Sequence, residues 1–282
     1  MYQLRPPHAA LAPYIEHYWF VRATAERPFD LTVDVYVDAR ADLVFNFGVP
    51  YSRAVIGGKT RVVKASNLDA QRLRPIRITQ RGEVTITGVR FHSGGLAAFT
   101  GRSVHAWNDK VVPLVRAFDR EVTQLEDDLR GAGDDVDAQR ERLDAYFLPR
   151  LQVTPARKTF DTVKAQLEAE RGLARIDALC ALGGVSIRQL DRLFQKHLGF
   201  SPKTYSRIVR FQAALTRLKR DPGCTLAEVA AECGYYDQPH FVRECKTYAG
   251  AVPKVQAGYF PAGAPADFSP NLVQFVQDSR AK

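Results

Sequence analysis

Over the first 117 residues, apolar positions come in short runs with no long helical stripe. Residues 31–37, 43–47, 61–63 and 84–91 are β-branched or aromatic, several alternate between apolar and polar, and Pro50, Gly57, Gly58, Pro75 and Gly82 punctuate them. Many short strands at such spacing predict a barrel or double-sheet sandwich, with one short helix over residues 94–100. The period then changes. Val122, Leu125 and Leu129 lie three to four apart, and Val136, Leu143 and Phe147 continue after a break that opens at Gly131, which predicts a helical hairpin.

The last third of the chain repeats itself. Counting from Ser186, offsets of 4, 6, 8, 13 and 16 hold Leu190, Arg192, Phe194, Gly199 and Pro202, and from Asp237 they hold Phe241, Arg243, Cys245, Gly250 and Pro253. Each copy opens on a residue that caps helix N-termini and stops at a glycine suited to the left-handed position after a helix. A shorter apolar helix and a glycine turn precede each, at residues 176–184 and 226–234, so the pattern is helix-turn-helix, twice. Residues 202–219 between them predict a connecting helix of roughly 25 Å at 1.5 Å per residue. Such a spacer suits two reading helices about one turn of DNA apart, ~34 Å. The expected class is α+β and multidomain: a β-barrel or sandwich over 1–117, a helical linker over 118–150, an all-α unit over 151–260 and a tail over 261–282.

Composition narrows the function. The 282 residues are 45% hydrophobic and 25% charged, a balance that excludes disorder as the dominant state. No apolar run approaches the ~20 residues that cross a bilayer, and the N-terminus has no signal-peptide pattern, so the expectation is a cytoplasmic protein with no membrane partner. The net charge of +9 is concentrated: residues 186–220 hold nine basic side chains and one acid, Asp191, whereas residues 119–144 hold 10 acidic and 4 basic. A basic stretch on helices favours a polyanionic partner. The acidic hairpin is a solvated face, a dimerisation helix or a contact to the basic unit. Cys180, Cys224, Cys233 and Cys245 form no C-x-x-C pair, which favours buried small hydrophobes over a redox sensor. His17, His92 and His105 are dispersed and include no H-x-H pair, so neither metal nor cofactor is expected.

The segments Ser186-x3-Leu-x-Arg-Leu-Phe-x-Lys-x2-Gly-x-Ser-Pro202 and Gly234-Tyr-Tyr-Asp-Gln-Pro-His-Phe-Val-Arg-x2-Lys-x-Tyr-x-Gly-x2-Pro253 resemble the DNA-binding domain of the AraC/XylS family of bacterial transcription regulators. The N-terminal part, through residues 14–19, 37–48 and 88–96, is similar to the cupin-like effector or dimerisation domains of such regulators. Cys245 and Ala249 stand where bulkier aromatics are usual, Val255 and Gln256 replace an aromatic-basic pair, and Pro239 falls in the first turn of the second reading helix.

Carried onto this sequence, the family's contact positions are Arg188, Asp191, Arg192 and Gln195, then Gln238, Pro239, Val242 and Arg243, with His240 and Lys246 placed for phosphate. Arginine can bond guanine N7 and O6, glutamine adenine, and valine can lie on a thymine methyl. Lys196, Lys203, Arg207 and Arg210 are expected to clamp the phosphate backbone. Tyr18, Trp19, Phe45, Phe47 and Arg90 are candidates for an effector cavity. The resemblance implies double-stranded promoter or operator DNA as partner, and admits a small-molecule effector, RNA polymerase and a second copy of the chain. A cupin-type or cysteine methyl-acceptor enzyme tethered to DNA and a non-specific architectural DNA binder are the alternatives. No catalytic nucleophile–base pair stands out in favour of an enzyme.

Overall fold

Among the described residues ten strands form in chain order: β1 (Tyr2–Arg5), β2 (Ile15–Ala23), β3 (Phe29–Val35), β4 (Ala41–Asn46), β5 (Tyr51–Val55), β6 (Thr60–Val63), β7 (Asn67–Asp69), β8 (Ile76–Gly82), β9 (Val84–Phe91) and β10 (Val111–Pro113). The computed structural model describes residues 2–26, 28–221 and 223–252, so Pro253, Val255, Gln256 and the expected tail over 261–282 lie outside it. One sheet has the order β1-β2-β9-β4-β7-β10 and the other β3-β8-β5-β6, with every paired neighbour antiparallel. This is the double-sheet architecture that the short alternating strands predict.

Alternation decides what each strand faces. On β2, Tyr18 and Phe20 enter one core with Leu43 and Phe45 of β4 and Val89 and Phe91 of β9. Their sequence neighbours Trp19, Val21, Val44 and Ile86 point through the other face. The larger sheet is thus covered on both sides, and β9 at its centre is buried along almost its whole length.

Helices close the first face. α1 (Ala97–Thr100) and α2 (Leu114–Ala117) are single turns, and α3 (Glu121–Gly131) and α4 (Val136–Phe147) make the expected hairpin. Val122, Leu125, Leu129, Val136, Leu143 and Phe147 join the core of the large sheet. Several hairpin acids are spent on that sheet: Asp144 accepts from Tyr18 Oη at 2.8 Å and from the His8 amide at 2.9 Å, and Asp134 meets Arg22 at 3.0 Å. The hairpin is therefore anchored to the strand-rich part by both its apolar and its acidic sides.

Six further helices follow: α5 (Pro155–Ala169), α6 (Ile176–Gly183), α7 (Ile187–His197), α8 (Pro202–Arg220), α9 (Leu226–Glu232) and α10 (Gln238–Ala249). α5 is an element that the repeat does not reveal. Thr154 caps it, Pro155 opens it, and Phe160, Val163 and Leu167 bury its apolar stripe. The helices share a second core around Phe160, Phe194, Phe211 and Phe241, and Tyr36, Val37 and Ala39 of the strand-rich part belong to it. Small Cys245 and Ala249 are buried in it without enlarging the gap left by absent aromatics into exposure.

Both repeats end on left-handed glycines, Gly199 at φ +85° and Gly250 at φ +76°. α7 begins with a reciprocal cap, in which Ser186 Oγ accepts from the Gln189 amide at 3.3 Å and Gln189 Oε1 accepts from the Ser186 amide at 2.8 Å. Ser186→Ala should lower stability by about 1 kcal/mol while Ser186→Asn stays close to wild type, as read from urea unfolding midpoints.

Candidate nucleic-acid interface

α7 buries Leu190, Phe194 and His197 and turns its other side outward. Arg188 and Arg192, one turn apart, are exposed, and among the described residues neither has a hydrogen-bond or ion-pair partner. Asp191 between them is half-buried. Lys196 and Lys203 are exposed, at the end of α7 and the start of α8. Gln195 differs from the others: it is half-buried, and its Oε1 is buried without a partner among the described residues. Its position in the last turn of α7 puts it at the junction with the strand-rich part. On α10, Gln238, Pro239, Arg243 and Lys246 are exposed and Val242 is half-buried.

Two apolar side chains that the motif comparison passed over flank these groups. Ile187, the first residue of α7, is 66% exposed, and Tyr236, just before the Asp237 cap of α10, is 93% exposed. Their only signal in the sequence is an apolar residue lying off the buried stripe of its helix.

Glu244 corrects part of the expected phosphate clamp. It is 2% exposed, and Arg207 Nε donates to its Oε1 at 2.7 Å, with Arg210 at 4.0 Å and His240 Nε2 at 3.9 Å. Arg210 also lies over the Tyr235 ring and donates to the Gly234 carbonyl at 3.3 Å. A buried carboxylate needs cations beside it, so Arg207 and Arg210 join α8 to α10. His240, edge-on to Tyr235, leans toward the same carboxylate.

The other end of α7 is held by the strand-rich part. A helix leaves its last carbonyls unpaired. Here Lys196 O accepts from the Val104 amide at 3.2 Å, Leu198 O from Gln71 Nε2 at 3.1 Å, and Gly199 O from Asn108 Nδ2 at 2.5 Å. His105 Nδ1 lies 2.7 Å from Gly199 O, a hydrogen bond in the tautomer protonated there. Arg157 of α5, almost fully buried, donates to the Gly94 carbonyl at 2.5 Å. Gly94 itself must stay small, because a Cβ there would sit 2.7 Å from the Phe160 ring. Val37 bonds both α10 and α8: its amide donates to Tyr248 O at 3.1 Å and its carbonyl accepts from Gln212 Nε2 at 2.5 Å.

Residues 179–256, which span both repeats, match the model of a helix-turn-helix domain family, and residues 3–113 match a family described as a domain of unknown function, DUF6597. The HTH-type transcriptional regulator GbdR of Pseudomonas aeruginosa is 37% identical over 95 residues, which are 34% of this chain and 26% of GbdR. An uncharacterized HTH-type transcriptional regulator of Haemophilus influenzae is 37% identical over 73 residues, 26% of this chain and 24% of that protein. The chain thus spans about a quarter of the length of these curated relatives. A crystal structure of a probable AraC family transcriptional regulator from Rhodopseudomonas palustris is 30% identical and covers 32% of this chain and 84% of its own, with a TM-score of 0.29. Residues 179–256 thus carry a helix-turn-helix domain. Apo ToxT K231A of Vibrio cholerae covers 83% of this chain and 95% of its own at 9% identity and a TM-score of 0.44.

The protein also has a cavity of about 160 Å³ between its two sheets. Of the five side chains expected there, Trp19 and Arg90 line it. Tyr18 and Phe45 point through the opposite face into the first core, and Phe47 packs against that core, so these three are corrected to core positions. Cys224, Cys233 and Cys245 are buried and Cys180 is partly so. Burial pushes the Cys245 thiol up to about 12 and raises Cys233 as well.

Two outcomes follow from these side chains. Removing the buried carboxylate with Glu244→Ala should cost about 1.5–3 kcal/mol, read as a lower urea midpoint. The second concerns pH. Burial, with Arg157 and Lys196 nearby, pushes His197 down to about 4, and burial, opposed by Glu16 and aided by Arg90 and Arg40, pushes His17 down to about 4. Both imidazoles are neutral in the folded chain and bind protons near 6.5 when unfolded. Their contribution is complete above about pH 6.5 and is lost as pH falls through about 4. Urea midpoints should therefore fall between pH 7 and 4.5, with a shallower slope in His197→Leu.

Proposed function

We propose that the protein is a sequence-specific DNA-binding transcription regulator whose α7 and α10 enter successive major-groove segments. The observation that carries this is the pair Arg188 and Arg192, exposed and unengaged among the described residues on the outer face of a capped helix. The repeat puts Gln238 and Arg243 at matching positions of α10. α8, 19 residues and roughly 28 Å long at 1.5 Å per residue, spaces the two. Arg188 and Arg192 read bases, as do Gln238 and Arg243. Asp191 accepts from a cytosine amine, Val242 and Ile187 lie against thymine methyls, and Lys196, Lys203 and Lys246 fix the register on phosphates. Pro239 opens the helix where no N–H is needed, and Tyr236 covers a sugar beside it.

The strand-rich part controls this reader, because it bonds directly to α7, α8 and α10. The cavity is its effector site. A methyl-acceptor role is disfavoured for Cys233 and Cys245, whose buried thiols are raised, since the thiolate is the reactive form. No helix among the described residues is long and apolar enough to cross a membrane.

Selection of bound oligonucleotides from a random pool tests the proposal. It should return an asymmetric site of two short blocks about one helical turn apart, bound at least ~10³-fold more tightly than random DNA. An architectural binder would return no consensus. On the selected site, Arg192→Ala should cost roughly 1–3 kcal/mol and relax preference at one position, whereas Lys203→Ala should weaken all sequences alike and reduce the salt slope by about one.

A further inference from the structure

The cavity between the sheets has walls of two kinds. Most of its lining is aliphatic, from Val21, Val44 and Ile86 on one sheet and Leu31, Val33 and Ile78 on the other. The Trp19 indole lies flat on the larger sheet over Gly88, where any Cβ would overlap the ring, so it gives the cavity a planar wall. Polar side chains break the apolar surface: Arg72 (2% exposed), Gln80 (4%) and Arg90 (6%), with His17, Asp42, Tyr51 and Asp69 on the same wall. Among the described residues, Arg72 Nε and Nη2, Arg90 Nε and both amide atoms of Gln80 have no hydrogen-bond partner. Buried polar groups are rarely left so, and leaving them unpaired is costly.

Size and charge restrict what would satisfy them. A cavity near 150 Å³ takes one benzene, so about 160 Å³ admits one ring with a small substituent, about six to ten non-hydrogen atoms. The guanidiniums are already neutralised. Arg90 pairs with Asp38 and, at 2.8 Å, with Asp42, while Arg72 lies 3.5 Å from Asp69 and 3.8 Å from Asp38. A ligand carboxylate would meet Asp42 and Asp69 as well as the arginines, and an ammonium would meet the arginines. An uncharged head with a carbonyl acceptor and an N–H donor suits both the spare guanidinium N–H groups and the Gln80 amide.

The polar groups also adjoin the contacts that hold the reader. Asp38, paired to both arginines, follows Val37, whose amide and carbonyl bond α10 and α8. Gln71, which bonds the Leu198 carbonyl at the end of α7, precedes Arg72. A change in how Arg72 and Arg90 hold Asp38 therefore reaches both helix-turn-helix units within one residue of chain.

We propose that this cavity binds a small, uncharged, planar ring compound bearing a carboxamide-like group, held by Gln80, Arg72 and Arg90, and that its occupancy changes DNA affinity through Asp38–Val37 and Arg72–Gln71. The second clause rests on the DNA-binding function proposed above, and the first does not. The test uses the full chain and three probes of one shape: benzamide, benzoate and toluene, titrated calorimetrically. Benzamide should bind at least about tenfold more tightly than the other two, a difference of ~1.4 kcal/mol. Gln80→Leu should erase that margin while leaving the unliganded chain as stable as wild type or more so, because it removes an unpaired amide. Benzamide binding no better than toluene, or a margin untouched by Gln80→Leu, overturns the site. Saturating benzamide should then shift affinity for the selected DNA site at least about threefold in wild type and not in Gln80→Leu. A site that passes the first test with DNA affinity unmoved overturns the coupling alone. Absence of any preferred DNA site overturns the regulator function and leaves the cavity's chemistry standing.

Discussion

The end of α7 cannot satisfy its own carbonyls, and that deficit organises the molecule. Gln71, Val104 and Asn108, from two stretches of the strand-rich part, supply the missing donors at Lys196, Leu198 and Gly199. α7 is thereby fixed at its C-terminal end to the strand-rich part. Its N-terminal half, with Arg188 and Arg192, is left exposed. One element thus joins an anchored end to an exposed cationic face without any intervening linker, and two of the anchoring residues, Gln71 and Val104, are themselves buried.

The second unit is presented by a different device. Glu244, buried on α10, draws Arg207 and Arg210 of α8 toward itself, so cations that a charge count assigns to DNA instead fix the angle between spacer and reader. Val37 then ties α8 and α10 to the strand-rich part. Because Asp38 is the next residue and sits among Arg40, Arg72 and Arg90, the tie is set by a buried charge cluster. Burial alone would raise the Asp38 carboxyl, but the three arginines outweigh it and hold it below the usual carboxylate range. Such clusters are costly to break from one side only, which makes the junction responsive to anything that competes for a single arginine.

Much of this was legible in the sequence, and the reason differs by region. The tandem helix-turn-helix shows because caps, apolar stripes and glycines recur 51 residues apart, and all are local signals. β3, β4 and β9 show because apolar residues recur at alternate or adjacent positions along them, and β6 through its Val62–Val63 pair. β1, β7 and β10 are three or four residues long and exist only through their partners, so no local pattern marks them. α5 has a clear stripe in Phe160, Val163 and Leu167 but lies outside the repeat. At the cavity, alternation predicts that Tyr18 and Trp19 point oppositely; which one meets the second sheet is a tertiary matter, and it fell to Trp19. The junction was invisible because its acceptors are backbone carbonyls, which every residue possesses.

The central claim is that α7 and α10 engage one duplex together, in neighbouring turns of the major groove. Hydroxyl-radical footprinting of the full chain on its selected site reads this directly. Two protected patches on one face of the duplex, offset by about ten base pairs, are predicted. A single patch, or continuous protection with no helical phase, would contradict it.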